Sequence, residues 1–243
     1  MCTFVLAWRV FDDAVVVAAN RDECTDRASE PPGVFARDPR VVAPRDAEAG
    51  GTWLGYNEHG VLAAVTNRWT DTDLAGERSR GLLVGDALAR ASASEAAAAV
   101  EASVADREYA GFNLVAADAD DACLLEWDGT LQKRAFDPGV HVVVNVGADD
   151  EFAVPESRRE AGRRQVAGAR RAREELAPSD GETAGEWLDR AAGVLADHDY
   201  GFCVHGDGFG TRSSSLVAVG DDPTYRFADG PPCSSAYRTI DGV

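Results

Sequence analysis

The order in which strand-like and helical text alternates constrains the fold of this chain more than any single residue does. Two apolar, β-branched runs at 2–10 and 14–19, separated by FDD, predict a hairpin. NRDECTDRASEPPG, polar and punctuated by proline, follows and predicts a loop. After PRDAEAGG, the segments TWLGYN and VLAAVTN flank EHG and predict a second hairpin with Gly60 in its turn. Residues 81–105 are helical text, alanine-rich, with serines near 91–94 supplying a break and an N-cap. Strands return in FNLVAAD, ACLLEW, LQKRAF and VHVVVNV, followed by a long helix from Pro155 to about Leu176. A second helix spans GETAGEWLDRAAGVLADH, with Trp187, Leu188, Ala191 and Leu195 on one stripe. GFCVH, SSSLVAVG and TYRFAD close the chain as strands, with a glycine-rich turn at GDGFGT.

This order is β-rich, helical, β-rich, helical, β-rich. It excludes alternating βαβ units and a Rossmann-like parallel sheet. It predicts an α+β fold, antiparallel sheets covered by helical layers, with residues 1–243 as one domain because no repeat, low-complexity block or shift in composition marks a boundary.

The longest apolar runs are strand-sized, so no membrane span is expected. The start lacks the charged and apolar regions of a signal peptide, and a cytoplasmic location follows as the expectation. The net charge of −18 argues against nucleic acid as a partner. Such an excess of carboxylate repels itself in dilute solution and is screened by salt, which predicts a salty cytoplasm of the halophilic archaeal kind. Seven arginines between Arg158 and Arg173 predict a solvated helix face paired with the acidic surface.

The five cysteines form no CxxC pair and the four histidines no ligand array, so neither a metal nor a cofactor is expected. Cys24, Cys123, Cys203 and Cys233 read as small buried hydrophobes. Cys2 is different. Removal of Met1, which a small second residue permits, gives one residue both a thiol and a free α-amine. An α-amine titrates at about 7.7–8.0, so it can act as a base near neutral pH. A free thiol at about 8.5 needs such a base, or a cation, to become a nucleophile. If residues 2–10 form an interior strand, the ladder holds Cys2 rigidly.

The predicted hairpin returns residues 19–23 to the neighbourhood of Cys2, so Arg21 can hold a thiolate and Asp22 can hold an α-ammonium or orient substrate. Asn67 and Asn145, each ending a predicted strand, are the candidate oxyanion donors. Arg212, followed by three serines, lines a carboxylate or phosphate pocket or closes a turn. The paired glycines of GGTWLG permit a tight backbone turn before Trp53, and Asp46 is placed to hold that loop.

These segments resemble the NRDE-motif family, also called the transport-and-Golgi-organisation family. The resemblance rests on MC at 1–2, NRDE at 20–23, RD at 45–46, GGTWLG at 50–55, TN at 66–67, SRG at 79–81, GFNL at 111–114, Asn145, and GTRSS at 210–214. It implies the N-terminal nucleophile hydrolase fold, an αββα sandwich of two stacked antiparallel sheets covered by helices. It also implies kinship with cysteine-dependent enzymes such as penicillin V acylase, bile-salt hydrolase and acid ceramidase, which cleave non-peptide amides. Their pattern falls here on Cys2, Arg21 with Asp22, Asn67 with Asn145, and Arg212. Those relatives separate the arginine and aspartate by two residues; here they are adjacent, so exchanged roles or use of Glu23 stay open. Eukaryotic members of the family are also linked to Golgi organisation, lipid metabolism and haem movement. Two functions are therefore expected: an N-terminal-cysteine hydrolase of a linear amide, or a binding and trafficking protein for haem or an acyl ligand. The expected partner is a small-molecule substrate or an apolar ligand.

Overall fold

In the computed structural model, which describes residues 2–240, the chain begins with β1 (Thr3–Trp8), β2 (Val15–Cys24), β3 (Ser29–Arg37), β4 (Arg40–Asp46), β5 (Leu54–Asn57) and β6 (Leu62–Asn67). Two helices follow, α1 (Arg80–Leu88) and α2 (Ala93–Asp106), and then β7 (Phe112–Ala117), β8 (Ala122–Trp127) and β9 (Leu131–Ala135). The remainder comprises β10 (Gly139–Val144), β11 (Gly147–Ala148), β12 (Glu151–Phe152), α3 (Arg159–Glu175), α4 (Ala184–Ala196), β13 (Phe209–Val219), β14 (Thr224–Ala228) and β15 (Arg238–Thr239). Contacts divide these elements into two units, residues 2–26 with 138–240, and residues 27–137.

The first unit carries an antiparallel sheet in the order β12-β11-β10-β1-β2-β13-β14-β15. TFVLAW is apolar at nearly every position because β1 is interior and buried along its whole length, which erases the alternation of a half-exposed strand. Its register runs Phe4 opposite Ala19 of β2 and Val143 of β10. Helix α4 starts at a capping box, in which Thr183 Oγ1 accepts from the Glu186 amide and the Glu186 carboxylate accepts from the Thr183 amide. Its stripe of Trp187, Leu188, Ala191 and Leu195 is buried as the spacing predicts. Helix α3 buries small residues, and a Cβ on Gly168 would stand 2.2 Å from the Tyr200 carbonyl oxygen, so only glycine lets the chain at 198–200 approach. Along its polar side Arg159 and Arg164 pair with Glu156 and Glu160, and Arg170 and Arg173 with Asp150.

The second unit is a sheet in the order β3-β4-β5-β6-β7-β8-β9, with α1 and α2 covering a core that includes Leu83, Leu88, Val100, Phe112 and Leu114. Ser79 and Ser92 cap the two helices, the second at the expected serine break. Both units use one device to finish a helix. The last carbonyls of a helix lack intrahelical donors. In the first unit Asn20 Nδ2 donates to the carbonyls of Leu195 and Phe202, at 3.0 and 2.9 Å. In the second, Asn57 Nδ2 donates to those of Leu88 and Arg90, at 2.8 and 2.7 Å.

Three expectations are corrected. NRDE is not loop: β2 continues through it, paired with β13 from Val219↔Val15 to Phe209↔Cys24. SEPPG is likewise strand, but β3 is an edge strand with register shifts, where proline costs no ladder bond. GFCVH is irregular except for a bridge between His205 and Gly210, and β13 starts at Phe209, inside the segment read as turn. No helix of the described residues is long and apolar enough to cross a membrane.

Candidate functional site

The chemistry-bearing residues of the first unit gather where β1 begins. Thr3 pairs with Asn20, and one further step along that ladder brings Cys2 level with Arg21. The ladder to β10, extended past Phe4↔Val143, brings Cys2 level with Asn145 on its other side. The Cys2 sulfur lies 3.6 Å from the Asp22 carbonyl oxygen. Burial pushes the Cys2 thiol above its ordinary value; the Asp22 carboxylate adds to the rise and Arg21 opposes it. With its nitrogen in a peptide bond to Met1, Cys2 has no α-amine of its own to take the thiol proton, and burial disfavours its thiolate.

Adjacent strand residues face opposite ways, and this separates the members of NRDE. Asn20 and Asp22 share one face of β2, Arg21 and Glu23 the other. Asp22 is 2% exposed and its Oδ1 accepts from the Thr211 hydroxyl at 2.6 Å. Burial pushes its carboxyl up, while the Thr211 bond pulls the other way. Arg21 is buried, with Nη2 3.9 Å from Glu23 Oε2. Adjacency therefore parts the cation and the Asp22 carboxylate, and Glu23 is the carboxylate beside Arg21.

Arg212 enters through a bulge. Thr211 pairs with Asp22 and Ser213 with Arg21, so Arg212 is the extra residue of β13, opposite the Arg21–Asp22 step. A bulge re-aims side chains in this way. Arg212 Nε is buried with no hydrogen-bond partner among the described residues. Asn145, just past β10, is fully buried, and its Oδ1 accepts from Gln165 Nε2 at 2.8 Å, which fixes Nδ2 as the donor end of the amide. Five of the six expected residues, Cys2, Arg21, Asp22, Asn145 and Arg212, thus belong to neighbouring strand ends of one sheet. Asn67 ends β6 in the second unit.

Sequence reasoning missed Thr211 and Gln165. The first had a signal, since it stands next to Arg212 in GTRSS; the second, on α3, had none. The cysteine expectation is corrected too: Cys123 and Cys203 are buried, but Cys24 and Cys233 are exposed.

In the second unit the remaining motif segments are structural partners. A Cβ on Gly51 would stand 2.2 Å from the Gly81 carbonyl carbon, so GGTWLG and SRG meet backbone to backbone, with Thr52 N donating to Gly81 O at 3.0 Å. Asp46 holds the intervening loop through the amides of Glu48 and Ala49, both at 3.0 Å. Burial raises its carboxyl, but those bonds and Arg27 bring it below the usual carboxylate range. Asn113 of GFNL donates to Thr66 Oγ1, and Arg68 bridges Asn113 to Glu126. A cleft of ≈ 720 Å³ in this unit is lined by Leu74, Val104, Tyr109 and Trp127 among others, with Asp73, Glu77 and Glu108 also on its wall.

Comparison with known proteins gives three consistent likenesses. The family pattern described as Transport and Golgi organisation 2 matches residues 1–230. The mouse Transport and Golgi organization 2 homolog is 30% identical over 139 residues, 54% of this chain and 50% of that protein. The human homolog is 34% identical over 111 residues, 44% of this chain and 40% of that protein. The chain spans about half the length of the curated relatives it matches. Among solved structures, penicillin V acylase from Agrobacterium tumefaciens superposes with a TM-score of 0.58 at 16% identity, covering 100% of this chain and 87% of that one. The Caenorhabditis elegans N-acylethanolamine-hydrolyzing acid amidase ortholog gives 0.59 at 12% identity, covering 89% and 92%. At these identities the likeness establishes the fold, the α+β class of the N-terminal nucleophile hydrolases, and leaves the chemistry to the residues.

Proposed function

Taking as premise that the chain belongs to the Transport and Golgi organisation 2 family, we propose that it is an N-terminal-cysteine hydrolase of linear, non-peptide amides, activated by removal of Met1. The observation that carries this reading is the convergence of Cys2, Arg21, Asp22, Asn145 and Arg212 at one end of one sheet. The raised thiol supports the need for processing: burial leaves the sulfur protonated until a base stands beside it. In the processed chain the α-amine of Cys2 takes the thiol proton, and the thiolate forms a bond to the amide carbonyl carbon. Asn145 donates to the resulting oxyanion. The C–N bond then breaks as the α-ammonium returns a proton to the leaving nitrogen, and water hydrolyses the thioester to release the acid and the thiol. Asp22 holds the α-ammonium, while Arg21 and Arg212 offset the thiolate charge and orient an anionic substrate group. An N-acyl amide is the substrate class favoured by what the acylase and the acid amidase of like fold are named for.

The test is hydrolysis of a panel of N-acyl amides by the Met1-free chain and by Cys2→Ala. Loss of a covalent nucleophile costs on the order of 10⁴-fold or more in turnover. Unchanged hydrolysis in the variant would overturn the assignment. A second reading, capture of haem or an acyl ligand without turnover, draws on the cleft beside Trp127. Saturable hemin or acyl-chain binding that Trp127→Ala abolishes, with no amide hydrolysed by the processed chain, would favour it.

A further inference from the structure

Outside the proposed site, the first unit assembles four soft ligands from segments that the sequence keeps apart. His198 lies in a one-turn 3₁₀ helix at 198–200, which ends on Gly201 in the left-handed conformation, φ 74°. That turn sends the chain back, so His198 meets His205 edge to face at 5.2 Å between ring centres. Cys203 and His205 follow on the irregular stretch before β13, and Cys233 comes from the turn after β14. His205 Nε2 stands 3.5 Å from Cys203 Sγ and 3.2 Å from Cys233 Sγ. The ligand atoms of all four residues lie within 4.8 Å of one another.

We propose that His198, Cys203, His205 and Cys233 form a Cys₂His₂ site for zinc(II). The ligand set is the one structural zinc takes, and it shuns hard cations such as magnesium and calcium. The geometry is close to closure. Zn–S and Zn–N bonds of roughly 2.3 and 2.1 Å at tetrahedral angles put nitrogen and sulfur ligands about 3.6 Å apart, and both His205–cysteine distances are near that value. The wider pairs close by side-chain rotation, which three exposed ligands of the four leave room for. On binding, two thiols lose their protons to solvent and bond to zinc as thiolates, with no change of oxidation state.

Zinc here would tie down the segment that supports the NRDE strand. The Phe202 carbonyl accepts from Asn20, and the Val204 amide donates to Thr211 Oγ1, which in turn holds Asp22. Fixing Cys203 and His205 thus fixes the support of Asn20 and Asp22.

The experiment is metal analysis of the whole chain purified under reducing conditions, followed by replacement with cobalt(II). About one zinc per chain is expected, and a cobalt spectrum with tetrahedral ligand-field bands and a thiolate charge-transfer band. Cys233→Ser and His198→Ala, both at exposed positions, should lower zinc affinity at least ~10-fold, with circular dichroism unchanged. Cys24→Ser, an exposed thiol outside the cluster, should leave it intact. An octahedral cobalt spectrum, zinc binding that survives Cys233→Ser together with His198→Ala, no binding to the parent chain, or a Cys203–Cys233 disulfide by intact mass would each overturn the proposal.

Discussion

Replacing Asn20 by alanine removes a side chain that ties β2 to the end of α4 and to Phe202. The amide is 2% exposed and donates twice, to Leu195 O and Phe202 O. Each buried hydrogen bond contributes a net of about 1–1.5 kcal/mol, so the loss of the two is about 2–3 kcal/mol. Against this, Asn20 Oδ1 is itself buried with no partner among the described residues, and its removal returns about 1 kcal/mol. The net destabilisation is therefore about 1–2 kcal/mol. With a urea m value of about 2 kcal/mol per M, the midpoint falls by about 0.5–1 M. Asn20→Asp keeps the shape but sets carboxylate oxygen against two carbonyls, so it must lose more than alanine does. The assay is urea unfolding followed by circular dichroism and tryptophan fluorescence, with coincident transitions as the condition for the arithmetic. A midpoint shift under roughly 0.3 M for Asn20→Ala, or an aspartate variant more stable than the alanine one, would refute the reasoning.

Gly51→Ala puts a methyl 2.2 Å from the Gly81 carbonyl carbon. It should cost about 3 kcal/mol, a melting point roughly 6–12 °C lower, whereas Gly193→Ala, with open space around it in α4, should be neutral or stabilising in the same scan. Asp149 accepts from the His141 ring at 2.8 Å; burial pushes its carboxyl up, but His141, the Val142 amide and Arg173 bring it below the usual range. A depressed folded pKa gives stability that is present above the unfolded value of about 3.9 and lost as pH falls through the folded one. The deficit of Asp149→Asn in urea unfolding should therefore be present above about pH 4 and shrink on acidification below it; a deficit that holds at low pH would contradict this. A charge of −18 should make the melting temperature rise with KCl, and scanning calorimetry that finds no salt dependence would remove the argument for a saline solvent.

Legibility followed the physics of burial. The β1–β2 hairpin, the two helical blocks and the serine break were visible because apolar period and caps report directly on them. NRDE was read as loop because polarity usually means solvent. Here Asn20, Arg21 and Asp22 are buried, and Asn20 Nδ2 and Asp22 Oδ1 find their partners on α4, at Phe202 and on β13, which no local pattern announces. The prolines of β3 misled for a related reason: an edge strand tolerates them, and edge position is a property of the sheet. The bulge that inserts Arg212 depends on its partner strand, and the cluster of His198, Cys203, His205 and Cys233 depends on three turns. Neither leaves a spacing that can be read in one dimension.

The central claim is that a released α-amine turns the thiol of residue 2 into the most reactive sulfur of the chain. Its most direct measurement is the rate of iodoacetamide labelling at each cysteine, resolved by peptide mapping at pH 7, in protein whose intact mass lacks Met1. The account predicts that Cys2 is alkylated faster than Cys24, which is exposed and serves as an internal standard, and that the Met1-bearing chain loses this advantage. Labelling of Cys2 no faster than Cys24 in the Met1-free chain would contradict it.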